Sequence, residues 1–259
     1  MQSKLISESE IQEMLQFTSV SHAAAWLKRT PEYAKAWADL DENSLHRGQI
    51  EKLLKASIFK DFSKIYQFAN PEQRKFLDLY SRRYEIRVLK EIMTNLFDHK
   101  STDAVDVSPY CDFFRRHSKL DLDRLTACTT MDEFINTLKG NEFYVPLSRI
   151  QNHDTALLFD YGMALDLYYF SMIWNVRKKL FSGKDLEQIT TAYGEKFDML
   201  NLQFISRSKR YFSMAPADIY ALLIPMNYKL KKEEITALVE ASTREEAQQI
   251  FRKTYYGKK

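Results

Sequence analysis

The chain has 259 residues, 45% apolar and 28% charged, with 38 Lys plus Arg against 35 Asp plus Glu for a net charge of +3. Against a loose prior of about 150 residues per domain this makes one large domain or two small ones, with ample length for a core. Basic residues interspersed with acids give no support to a nucleic-acid face, and only 6 Gly and 6 Pro leave few helix breakers, which predicts an all-α protein.

From the amino terminus, "MQSKLISESE" has no apolar signal-peptide core. A reducing cytoplasm is expected, with Cys111 and Cys128, which fall in no CxxC or Cys/His metal spacing, packed or idle. Ser19 opens "SVSHAAAWLKRTPEY", which returns as "TMDEFINTLKGNEFY" from Thr130 and more loosely as "TREEAQQIFRKTYYG" from Thr243, spacings of 111 and 113 residues. Ser19, Thr130 and Thr243 are natural N-caps, because a hydroxyl accepts from the free amides of a first turn, and Glu133 and Glu246 complete capping boxes. Leu27, Leu138 or Phe251 stands eight positions on, and the short helix ends near Thr30, Asn141 or Thr254. Tyr33 and Tyr144 follow and are expected to pack back onto the bundle.

Asp39, Asp41 and Glu42 in "DLDENSLHR" read as a solvated loop with too few oxygens to hold a cation. The long helix "HRGQIEKLLKASIFKDFSKIYQF" comes next, then "RRYEIRVLKEIMTNLF". Here Tyr80, Tyr84, Glu85 and Leu89 match Tyr193, Phe197, Asp198 and Leu202 at one offset of 113 residues (193 less 80).

His153 and Asp154 in "RIQNHDTALLF" are similar to the His-Asp pair of metal-dependent phosphohydrolases. Further His ligands would be needed, and His99 and His117, the nearest in sequence, have no i, i+4 pairing. Asp154 is read instead as the cap of the following helix. The most apolar window, residues 156–174, has the length to span a bilayer but holds Asp160 and Asp166, each costing roughly 2.5 to 3.5 kcal/mol at a membrane centre. Leu157, Leu158, Tyr161, Leu165, Tyr168 and Met172 share one helical stripe in it, so it is expected to be a buried core helix, with no transmembrane segment in the chain.

No GxxxxGK[ST], GxGxxG or GxSxG motif occurs, and "FSGKDLEQI" has one Gly beside Lys184 with no strand before it, so ATP hydrolysis is not expected. No catalytic residue, cofactor or metal ligand is assigned. In "EKFDMLNLQFISRSKRYF" Asp198 and Asn201 lie three apart in an apolar stretch that ends in Arg207, Lys209 and Arg210. That basic end has three readings. It is an RNA grip with Tyr211 and Phe212 stacking on bases, a helix end whose cations face terminal carbonyls above buried aromatics, or a contact with an acidic partner. The repeats divide the chain into residues 1–117, 118–227 and a partial third unit, 228–259.

The stretches "HRGQIEKLL", "RKFLDLYSRRYEIRVLK", "FDYGMALDLYYFSMIW", "FDMLNLQFISRSKRYFSMAPADIYALLIPMNYKL" and "STREEAQQIFRKTYYG", with the triplication, make the whole chain resemble the C subunit family of the bacterial and archaeal V-type (A-type) ATPases, related to the d subunit of eukaryotic V-ATPases. The resemblance implies a funnel of three similar helical units about a pseudo-threefold axis. It also implies a non-catalytic central-stalk connector between the D and F shaft subunits and the membrane rotor ring of c/K subunits, coupling rotation to ion transport. Such a protein is cytoplasmic and peripheral at the inner face of the membrane, with no nucleic-acid partner.

The family's acid-x-x-Asn pattern falls on Asp198 and Asn201 with Arg207 downstream, while the first repeat has Glu85 but Val88 where the Asn would be. Tyr84, Glu85, Phe197, Asp198, Asn201 and Arg207 are therefore expected as a structural motif that also serves an interface. Family members continue past "YYGKK" and begin earlier, so a shortened form is expected, its open third unit exposing apolar surface that drives association. The competing readings are a helical repeat scaffold with unrelated partners and the His-Asp metalloenzyme.

Overall fold

Four of the six prolines, Pro31, Pro71, Pro146 and Pro216, stand in the first turn of a helix, where a missing N–H leaves no hydrogen bond unmade. The residues that composition marks as breakers thus punctuate helices here instead of interrupting them. The computed structural model describes residues 6–37, 41, 45–98, 107, 111–151 and 156–258, without the side chains of residues 32, 35 and 36; among these every regular element is an α-helix. In chain order they are α1 Glu8–Met14, α2 Val20–Arg29, α3 Pro31–Trp37, α4 Arg47–Phe68, α5 Pro71–Phe97, α6 Cys111–His117, α7 Leu122–Thr126, α8 Met131–Thr137, α9 Tyr144–Gln151, α10 Leu158–Leu180, α11 Gly183–Tyr211, α12 Pro216–Leu222, α13 Lys232–Glu240 and α14 Arg244–Lys253.

The helices divide into two compact units, one comprising Met1–Asn70 with Asp106–Leu122, the other Pro71–Val105 with Asp123–Lys259. In the first, Ala24, Leu27, Trp37 and Ile50 form a core flanked by Trp26, Tyr33, Leu45, Leu53 and Leu54. A second nest joins α4 to α6, with Phe59 and Phe62 each 5.1 Å from Phe113 and Tyr66 4.2 Å from the His117 ring. In the second unit, α10 packs against α5, α9 and α11, and α11 also meets α12 and α13. Helix α5 buries Tyr84, Glu85, Ile86, Val88, Leu89, Ile92 and Met93, residues from most of its circumference, as a helix deep in a bundle must.

The stripe that α10 buries is Tyr161, Leu165, Tyr169, Ile173 and Arg177, a run of i, i+4 steps. It overlaps the sequence expectation at Tyr161 and Leu165 but leaves Tyr168 at its edge, where the hydroxyl donates to Glu142 at 2.7 Å, and Leu157 65% exposed. A run of four-residue steps drifts slowly around a helix of 3.6 residues per turn, so the ridge that packs is tilted across the flat stripe read from sequence. No helix among the described residues is long and apolar enough to cross a membrane.

The cap of α10 is Leu157, and the acid that reaches it is Asp160, accepting from the Leu157 N–H at 2.8 Å. This corrects the reading of Asp154 as the cap; Asp154, His153 and His99 lie outside the described residues, as do Asp39 and Glu42 of the acidic loop. The Ser19, Thr130 and Thr243 hydroxyls accept from the N–H of His22 (3.2 Å), Glu133 (3.2 Å) and Glu246 (3.1 Å). The reciprocal arms differ from a standard capping box. Glu133 and Glu246 accept from Thr129 (2.9 Å) and Ser242 (2.7 Å), one residue before each cap, because a Glu side chain is long enough to pass the cap and satisfy the next free amide. Thr30 and Thr254 end α2 and α14, donating to the carbonyls of Trp26 (3.0 Å) and Phe251 (2.7 Å). Helix α8 stops earlier, at Thr137, and Asn141 holds the turn beyond it by accepting from the Phe143 N–H at 3.1 Å.

Candidate functional site

Thr191, Gly194, Asp198 and Asn201 succeed one another at three- and four-residue steps along α11 and so share one face. That face receives residues 223–231, an irregular segment between α12 and α13 whose backbone amides have no helix to bond within. Asp198 supplies the partners. Its Oδ1 accepts from the Tyr228 N–H at 3.1 Å, and its Oδ2 accepts from the N–H of Lys229 (2.6 Å) and Leu230 (2.9 Å) and from the Tyr256 hydroxyl (2.8 Å). Three successive amides turned toward one carboxylate make a backbone nest, set just before the positive end of α13.

Asn201, likewise 0% exposed, donates to the Ile224 carbonyl at 3.0 Å and accepts from the Ile224 N–H at 2.8 Å. An amide is the side chain that can do both at once, taking the place of a neighbouring peptide. Gly194 completes the seat. A Cβ built on it would stand 2.4 Å from Cγ of Tyr228, so only glycine lets that ring lie on the helix, where its hydroxyl meets Thr191 at 3.1 Å. Below the seat, Leu230, Ile235, Leu238 and Val239 close onto Ile205 and Ile219, with Tyr256 at the edge. Burial and the adjoining Asp198 carboxylate push the Tyr256 phenol above its ordinary range. With both oxygens engaged by four donors and no exposed surface, Asp198 can hold backbone but cannot reach a substrate.

The corresponding acid on α5 behaves differently. Glu85, 2% exposed, accepts from the Arg82 guanidinium at 3.1 Å, and Arg82 continues through its Nε to Glu142 at 2.6 Å. Tyr84 is buried against Tyr80, 6.0 Å between rings, and burial raises its phenol. Phe197, its counterpart, is 1% exposed among Phe170, Trp174 and Tyr193. Val88, in the place of Asn201, is fully buried.

Arg207 is exposed on the side of α11 away from Asn201, so the structure does not bring it to the junction. Of its basic neighbours, Lys209 donates to the Ala241 carbonyl at 2.5 Å, the last of α13, whereas Arg210 lies over the Tyr211 ring at 5.0 Å. Tyr211 and Phe212 are 62% and 66% exposed, which corrects the reading that placed them buried beneath the cations. Cys111 and Cys128 are free thiols that donate to the carbonyls of Val107 and Arg124. Among the described residues no three His, Cys, Asp or Glu side chains are grouped to hold a metal ion, and His117 is stacked in the α4–α6 nest.

Sequence reasoning missed Gly194, Tyr228 and Tyr256. The signal available for Gly194 was its place one turn before Asp198 on the same face; for the two tyrosines, 30 and 58 residues beyond Asp198, no local signal exists.

The profile of the ATP synthase (C/AC39) subunit family matches residues 1–259, the whole chain. Among curated proteins the chain is similar to the A-type ATP synthase C subunit of Methanothermobacter thermautotrophicus, 21% identical over 92% of this chain and 59% of that protein. The A-type ATP synthase C subunits of Methanosarcina mazei (23% identical, 77% of this chain and 51% of that protein) and Methanosphaera stadtmanae (20%, 92% and 59%) are similar as well. The chain spans less than two-thirds of the length of each of these relatives.

Proposed function

The chain belongs to the ATP synthase (C/AC39) subunit family, and from that premise we propose that it is a non-catalytic connector in the central stalk of a rotary A/V-type ATPase. In this reading it joins the D and F shaft subunits to the membrane rotor ring and sits as a peripheral component at the cytoplasmic face. The observation that carries the reading is the family match over the full 259 residues.

The physics of the junction supports it. A connector transmits torque only if its helices move as a body, which requires dense packing and turns that do not give way. The segment that would be the softest link in the second unit, residues 223–231, is tied to α11 by Asp198 and Asn201 at zero exposure. The helix order adds support for three similar units, divided at 1–117, 118–227 and 228–259. Helices of 10, 7, 22 and 27 residues (α2 to α5) are followed by helices of 7, 8, 23 and 29 (α8 to α11).

Size-exclusion chromatography of the purified protein with the D and F subunits of the same organism tests the proposal. Co-elution with sub-micromolar affinity is expected. Separate elution of folded partners at micromolar concentrations would overturn it.

A further inference from the structure

The offset of 113 residues that pairs Tyr80 with Tyr193 and Tyr84 with Phe197 also pairs two cations, Arg83 with Lys196 (196 less 83). In both copies the cation sits three residues after the tyrosine, on the same helical face, and rests on its ring. The Arg83 guanidinium lies 5.0 Å from the centre of Tyr80 and 5.6 Å from that of Tyr84, and donates to the Tyr80 hydroxyl at 2.6 Å. The Lys196 ammonium lies 6.0 Å from the centres of both Tyr193 and Phe170. The hydrogen-bonded hydroxyls of Tyr169 and Tyr193 link the α10 and α11 sides of the cluster. Both cations are exposed, with their stems laid over aromatic surface and their charges toward solvent.

Neither Arg83 nor Lys196 forms an ion pair with a described residue, although acids stand close by. Asp166 is occupied by Lys90 at 2.6 Å, and Glu85 and Glu142 are both occupied by Arg82. Partial desolvation lowers the Lys196 ammonium, and the positive charge of Arg83 lowers it further, with Asp166 opposing. Two like charges are thus held near one another without internal compensation, while the neighbouring carboxylates are consumed by other cations. Arg87, exposed one turn beyond Arg83, extends the positive face along α5.

We propose that Arg83, Arg87 and Lys196 form a recognition face for an acidic polypeptide segment of a partner protein. The layout suits separated carboxylates. A phosphate site gathers donors on one point, commonly at a helix N-terminus, whereas these cations project from the bodies of α5 and α11. A nucleic-acid strand needs a longer basic track, and here Asp166 and Glu195 flank the three cations. Cations held on aromatic rings lose little freedom when a carboxylate arrives, so the face is preorganised. The proposal rests on the connector reading for the identity of the partner, the D and F shaft pair, and on the cation cluster alone for its chemistry.

The test is titration of the purified wild-type chain, an R83E/K196E charge-reversal variant and an R83K/K196R variant with three probes: the D–F pair, poly-L-glutamate and tripolyphosphate. Charge reversal is expected to weaken D–F and polyglutamate binding at least about tenfold and to flatten its salt dependence, with R83K/K196R close to wild type and the melting temperature of both variants unchanged. Equal D–F affinity for wild type and R83E/K196E would overturn the face and leave the connector standing. Polyglutamate binding that reversal abolishes, with no D–F binding by wild type, would overturn the connector and support the face. Tripolyphosphate bound in preference to polyglutamate, or no binding of any probe, would overturn the inference.

Discussion

Glu85 on α5 and Asp198 on α11 occupy the same place in two stretches that match at one offset, and both are buried, yet they stabilise the molecule by different means. Glu85 has one methylene more and meets Arg82 on its own helix, one turn back, within a chain of charges that continues to Glu142 and Tyr168. Asp198 is shorter, keeps its carboxylate close to the helix surface, and collects the amides of an incoming segment. One acid joins side chains, the other joins backbone. The position after it follows suit: Val88 packs as an apolar residue, whereas Asn201 extends the backbone clamp by one more peptide. An aligned acid can therefore keep its burial and change its task, and the task is read from what arrives opposite it.

The strongest way to break this comparison is Asp198→Ala. It strands three buried amides and a phenol, and it should cost about 3–5 kcal/mol in urea unfolding, whereas Glu85→Gln, which leaves Arg82 its bond to Glu142, should cost about 1–2 kcal/mol. Equal losses would show that the two acids do the same work. Asn201→Ala removes both bonds to Ile224 and should cost about 2–3 kcal/mol; a loss below about 0.5 kcal/mol would mean water replaces the amide. Gly194→Ala drives a Cβ into the Tyr228 ring at 2.4 Å and should lower stability by about 1–3 kcal/mol. Its effect should shrink in a Tyr228→Ala background, and additivity of the two losses would remove the seat from the account.

Alkaline pH sharpens the contrast further. The Tyr256 phenol is raised in the folded protein by burial and by Asp198, while an unfolded tyrosine ionises near pH 10. Above about pH 10 the unfolded chain gives up a proton that the folded chain keeps, so stability is intact below that pH and falls as pH rises past it. Tyr256→Phe should therefore show a shallower alkaline decline than wild type in chemical denaturation, and an unchanged slope would dissociate Tyr256 from the effect. The smallest change is expected at a helix start. Ser19→Ala loses the bond from the His22 N–H and should cost about 1 kcal/mol, with Ser19→Asp restoring it.

What could be read in advance follows interaction range. Ser19, Thr130 and Thr243 lie three residues from the amides they accept, so cap chemistry and sequence distance coincide. The α10 stripe was legible only in part, because two ridges of similar apolarity run along that helix and the neighbours choose between them; Tyr168 went to the edge and Tyr169 inside. Tyr211 and Phe212 are as apolar as the buried rings of α11, and nothing within a helical turn of them distinguishes an exposed aromatic from a core one.

The sequence by itself determined the all-helical class, through sparse glycine and helix-starting proline, and the recurrence of an acid after an aromatic in α5 and α11. Only the tertiary structure decided that Asp198 is a clamp and Glu85 one link in a chain of ion pairs. The partners of Asp198 are peptide groups 30 to 32 residues away together with a phenol 58 residues away. Backbone amides are the same at every residue but proline, so no pattern of side chains marks which of them a buried carboxylate will meet; packing of α12 and α13 against α11 makes that choice.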